Sequence, residues 1–183
     1  MKKVIYLLIT LLVLSVFLFG CTTPEIDLSR KGPSGPAGKS NIAHLYLYEK
    51  DPGTWDIEED GAWGKMKYNL SGETFDFVFN GHGLEPETDY TLIYYPDPWP
   101  GTGLICLGEG VVNEEGNVHI AASVETGDLP IETDANYPDG AKIWLVLSED
   151  VDSESDPTQM TGWNPTEYLF EYDLITFDDT TDA

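Results

Sequence analysis

The chain has 183 residues, enough for one domain once an export segment is set aside, and its 33 acids outnumber 9 bases. Beyond residue 40 only Lys50, Lys65, Lys67 and Lys142 face 31 acids, a net of −27, so nucleic acid is excluded as a partner because phosphate contacts need Lys and Arg. Frequent glycine and proline (18 and 12), with short alternating apolar runs, give the texture of an all-β protein.

Met1-Lys2-Lys3 precedes an uncharged apolar run from Val4 to Gly20. A basic start, an apolar middle and a small residue before a break describe an export signal. Seventeen residues fall short of the ~20 that span a bilayer comfortably, and an uncleaved anchor remains the alternative. The end of the run, Leu18-Phe19-Gly20-Cys21, resembles the lipobox of prokaryotic lipoproteins, with Phe19 in place of the usual small residue. The resemblance implies that Cys21 carries lipid and that the mature chain sits on the outer face of the cell membrane. Cys106 is then the one remaining cysteine, so no intramolecular disulfide forms.

Residues 30–41, RKGPSGPAGKSN, contain the Gly-Lys-Ser that ends a phosphate-binding loop, but Pro33 stands where the first glycine should be. The same letters form three G-X-Y triplets, too few for a triple helix. The stretch reads as a basic, extended spacer whose Arg30, Lys31 and Lys39 suit an anionic membrane surface. The expected organisation is a signal over 1–20, a lipidated tether over 21–40 and a domain over 41–183.

Within that domain, strands are expected at 42–48, 65–70, 75–80, 89–95, 104–112, 118–124, 141–148 and 168–177. About eight such strands suit an antiparallel Greek-key β-sandwich. Met66, Tyr68 and Leu70 alternate with Lys65, Lys67 and Asn69, which separates a core face from a wet one. KIWLVLS is apolar on both faces and predicts a central strand. VVNEEGNVHI predicts a hairpin closed at Gly116. In LEPETDYTLIYY, Leu84, Pro86, Thr88 and Tyr90 resemble the approach to a strand in fibronectin type III domains, which implies a structural tyrosine corner at Tyr90. The stretch from HLYLYEKDPGTW to WNPTEYLFEYDL resembles a domain of exported proteins of methanogenic archaea that have no assigned activity, which bears on source and location alone.

Common catalytic signatures are missing: no G-x-S-x-G, H-E-x-x-H or C-x-x-C occurs. His44, His82 and His119 lack the cysteine and methionine spacing of a blue-copper loop. Asp150, Asp152, Glu154 and Asp156 alternate along SEDVDSESD and are candidate calcium ligands, with Asp56, Glu58, Glu59 and Asp60 as a second acidic group. Ser155 and Thr161 occupy the positions at which an EF-hand needs Gly and Glu. If the strands alternate up and down, loops 49–64, 81–88, 113–117 and 149–167 share one end. That end would gather Trp55, Trp63, His82 and Trp163 beside the acids, and leave Trp99 and Tyr137 at the opposite end. The expectation is a non-catalytic adhesion or binding domain for a glycan or envelope protein. A structural acidic envelope protein, a calcium-dependent carbohydrate-binding module and a divergent hydrolase are the alternatives.

Overall fold

The computed structural model describes residues 40–182; the expected signal, Cys21 and most of the tether lie outside them. Alternation of apolar and polar residues produces seven strands of six to eight residues among the described part. These are β1 (Ile42–Tyr48), β2 (Trp63–Asn69), β4 (Phe75–His82), β5 (Asp89–Tyr95), β6 (Ile105–Val111), β7 (Asn117–Val124) and β8 (Lys142–Leu147). Five two-residue strands complete the set: β3 (Ser71–Gly72), β9 (Val151–Asp152), β10 (Gln159–Met160), β11 (Phe170–Glu171) and β12 (Asp178–Asp179).

Two antiparallel sheets form a β-sandwich-like all-β fold, a larger one ordered β11-β1-β2-β4-β7 and a smaller one ordered β6-β5-β8. Their inner faces meet in a core that takes Leu45, Met66, Phe77 and Phe79 from the larger sheet and Leu92, Tyr94, Ile143 and Leu145 from the smaller. Each such side chain contributes about 1.5–3 kcal/mol by leaving water. β1 and β5 match the expected ranges, and β2, β4, β6, β7 and β8 lie within two residues of theirs. Gly116, at φ 78°, closes the β6–β7 hairpin as expected, and the Asn113 side chain accepts from the amides of Glu115 and Asn117.

Two expectations need correction. KIWLVLS is an edge strand of the smaller sheet, where β5 is central. It is apolar on both faces because a second apolar layer covers its outside: Trp144 and Val146 pack with Ile93, Tyr95, Leu104, Met160, Tyr168 and Phe170. The run 168–177 is no single strand either. Leu169 pairs with Leu145 of β8 through reciprocal 2.9 Å hydrogen bonds, the next two residues pair with β1, and Ile175 and Phe177 bridge to Ala141 and Leu129. Tyr168, Leu169 and Phe170 are buried in succession, which a one-sided strand cannot do; the chain here crosses from one sheet to the other.

Loops 83–88 and 112–116 do share one end, tied by Leu84 N to Gly116 O (3.1 Å) and Glu87 N to Val112 O (3.0 Å). The segment after β8 leaves from that end but runs down the outside of the smaller sheet. Met160 N donates to Pro100 O and Gly103 N to Thr158 O, so it reaches the loop between β5 and β6 at the other end.

Tyr90 is buried, and the backbone amide of Glu85, five residues upstream, donates to its hydroxyl. Burial is the main cause that pushes the phenol up to about 12, with Glu167 adding to it and the Glu85 amide opposing it. Tyr90→Phe strands that amide, so chemical denaturation should show a loss of about 1 kcal/mol with an unchanged m-value; no change in midpoint would mean that the hydroxyl does not stabilise the turn.

Candidate functional site

Trp55 sits at the tip of a tight loop. The Asp51 carboxylate accepts from the amides of Gly53 (2.8 Å) and Thr54 (2.7 Å), which holds its pKa below the usual carboxylate range, and Asp51 O accepts from Trp55 N. The turn forces Trp55 to φ 65°, a conformation a bulky side chain rarely adopts. Its ring lies against Phe170, centroids 4.8 Å apart, yet stays 45% exposed.

Phe170 also meets Trp163 (6.1 Å) and Trp144 (5.2 Å), and Trp163 meets Trp99 (5.6 Å) edge to face. Trp163 and Trp99 are 43% and 51% exposed. Trp55, Trp163 and Trp99 therefore form an exposed strip seated on buried rings. Trp144 stacks on Tyr95 at 3.8 Å beneath it. Gly101, at φ 71°, lies so close to Tyr95 that a Cβ there would come within 2.4 Å of the ring, which fixes the Trp99 loop against this layer.

The four residues expected to share one face divide into two pairs. Trp55 and Trp163 join the strip. Trp63 and His82 are register partners on β2 and β4, ring centroids 4.7 Å apart, on the outer face of the larger sheet. Trp99, expected at the far end, belongs to the strip because the segment after β8 carries Trp163 down to it. Tyr137 is half exposed in a loop tied to the same region: Asn136 Nδ2 donates to Asp97 Oδ2 (2.7 Å), and buried Asp134 accepts from Tyr94, Asn136 and the Asp97 amide.

Polar groups lie beside and under the rings. Lys50 Nζ is 5.8 Å from the Trp55 ring centroid and donates to Glu171 O (2.9 Å), while Lys142 forms an ion pair with Asp97. The Glu171 carboxyl is pushed up to about 7, chiefly by burial, against the pull of its own backbone amide, Lys50, Lys142 and Trp144. Glu171 Oε2 and Trp144 Nε1 both end buried without a hydrogen bond of good geometry.

The acids considered for calcium divide between buried and exposed positions. Asp150 is buried, and its Oδ2 accepts from Tyr168 OH and Asn164 Nδ2. Asp152 Oδ1 accepts from the amides of Glu154 and Ser155, and Glu154 and Asp156 are exposed. Glu58, Glu59 and Asp60 line a shallow groove with Glu49, whose Oε2 accepts from Ala62 N. Among the described residues no three His, Cys, Asp or Glu side chains converge to hold a metal ion. The chain matches no protein-family model, no curated protein and no solved structure.

A carboxyl whose folded pKa is raised holds its proton longer when folded than when unfolded. Glu171 therefore costs nothing below its ordinary value of 4.5 and destabilises increasingly up to about 7, by roughly 3 kcal/mol at most. Glu171→Gln should flatten the fall in stability between pH 5 and pH 8, read as denaturation midpoints at several pH values; a slope equal to that of the parent would place the titrating group elsewhere.

Proposed function

We propose that this chain is an exported, membrane-anchored, non-catalytic binding protein: a Greek-key β-sandwich of the immunoglobulin or fibronectin III kind, held by lipid on Cys21, that binds a glycan through Trp55, Trp163 and Trp99. The observation that carries the reading is the strip of three exposed tryptophans on a buried aromatic layer. Large rings left in water on a rigid base mark interaction sites, since exposure forfeits burial that the fold could otherwise take. Flat faces stack on the C–H faces of pyranose rings, and Lys50, Asp97 and Lys142 supply polar groups near them. The positive φ at Trp55 agrees, because backbone strain concentrates where a side chain is held for binding.

The Glu85–Tyr90 hydrogen bond supports the fibronectin-like resemblance, and the apolar leader ending in Leu18-Phe19-Gly20-Cys21 supports the anchor. A purely structural envelope protein would show no ligand at the strip.

Affinity electrophoresis through gels containing soluble polysaccharides separates these readings. At least one polysaccharide should retard the parent chain, and Trp99→Ala should weaken that retardation about tenfold or more while Trp63→Ala leaves it intact. Retardation by none, or equal loss in both variants, would remove the strip as the binding face. For the anchor, Cys21→Ser should move the protein from the membrane fraction to the soluble fraction; full retention would favour an uncleaved apolar segment.

A further inference from the structure

The larger sheet has an outer face that differs from the rest of the chain. Its four long strands, β1, β2, β4 and β7, contain one acid, Asp76, although 31 acids lie beyond residue 40. The same strands carry all three histidines and two of the four lysines found beyond residue 40.

Register and burial put these residues on one surface. Across β1, β2 and β4 the rows run His44, Lys67, Val78, then Tyr46, Lys65, Asn80, then Tyr48, Trp63, His82. Met66, Tyr68, Phe77 and Phe79, which alternate with them, face the core. Lys65 Nζ sits 5.3 Å from the Tyr46 ring, and His44 has its pKa lowered by partial burial and by Lys65 and Lys67. Ile42 and Val78 are 38% and 39% exposed on the same surface.

Lysines, a tryptophan, two tyrosines and isolated aliphatic side chains on one sheet face are the composition that rests at the boundary of a lipid bilayer. The chain enters this face at Ile42, three residues after Lys39 of the basic tether. We propose that the outer face of the larger sheet docks on the anionic surface of the membrane to which the chain is anchored, with Lys65 and Lys67 as its electrostatic contacts. The inference rests on the anchored reading above. Anchoring makes docking intramolecular, so a weak attraction is enough. Two lysines near an anionic leaflet favour the docked orientation by up to roughly 30-fold, against the repulsion of Glu49, Glu58, Glu59 and Asp60 in the loop between β1 and β2, and molar salt removes that preference. The smaller sheet, with Trp163 and Trp99 on its outer side, then faces away from the bilayer.

The four lysines beyond residue 40 permit a test without substitution. Full-length protein is reconstituted into vesicles of phosphatidylcholine alone or enriched in phosphatidylglycerol, treated briefly with an amine-acylating reagent, and analysed by mass spectrometry. In anionic vesicles Lys65 and Lys67 should react about tenfold more slowly than in neutral ones, with the difference lost in molar salt and with Lys50 and Lys142 unchanged. Equal rates for Lys65 and Lys67 in the two vesicle types, or equal slowing of all four lysines, would overturn the proposal. Flotation of the vesicles in molar salt reads the anchor separately: protein that floats but shows no selective protection refutes docking alone, and protein that does not float refutes both.

Discussion

The arrangement of this protein depends on the need to cover the outside of β8. Its inward residues Ile143 and Leu145 belong to the core between the sheets, but Trp144 and Val146 on the other side are also buried. A three-stranded sheet offers no neighbour for them, and leaving them in water would forfeit about 1.5–3 kcal/mol each. The segment after β8 supplies the cover through Met160, Tyr168 and Phe170. Its path then fixes several other features: Trp163 arrives beside Trp99, Leu169 pairs with the edge of β8, and the last expected strand divides between the sheets.

Much of the fold was legible because alternation is a local signal. β1 and β5 could be read to the residue, since Leu45 and Leu47, or Leu92 and Tyr94, must face one side for a core to form. Tyr90 was legible through its neighbours in LEPETDY. The edge position of β8 was not legible, because apolar residues on both faces record burial and not which element does the covering. For the same reason Tyr168, Leu169 and Phe170 looked like part of a strand when they are a crossing.

The candidate site was half legible. Trp55 and Trp163 could be expected in exposed loops, but the grouping relied on loops that stay at the end where they start. Loop 149–167 is long enough to traverse the sheet, and its length was the available sign that it would. Trp99 was missed for that reason, as were Lys50 and Glu171, brought together by the pairing of β11 with β1, and Lys142 at the start of β8. The spacing of Asp150, Asp152, Glu154 and Asp156 suggested a shared site, yet Asp150 turns inward because Tyr168 and Asn164 bind its carboxylate.

The Tyr95–Trp144 stack, with its rings 3.8 Å apart and 12° from parallel, has a practical consequence. Two chromophores held so closely couple electronically, and Trp163 of the covering segment, 6.0 Å from Trp144, adds a third ring whose share of the near-ultraviolet circular dichroism depends on that segment staying in place. The main core contributes the tyrosines Tyr68, Tyr90 and Tyr94 and no tryptophan, so the longest-wavelength tryptophan bands arise outside it. The protein thus carries an intrinsic optical reporter for its outer layer, able to show whether that layer loosens before the sheets themselves come apart.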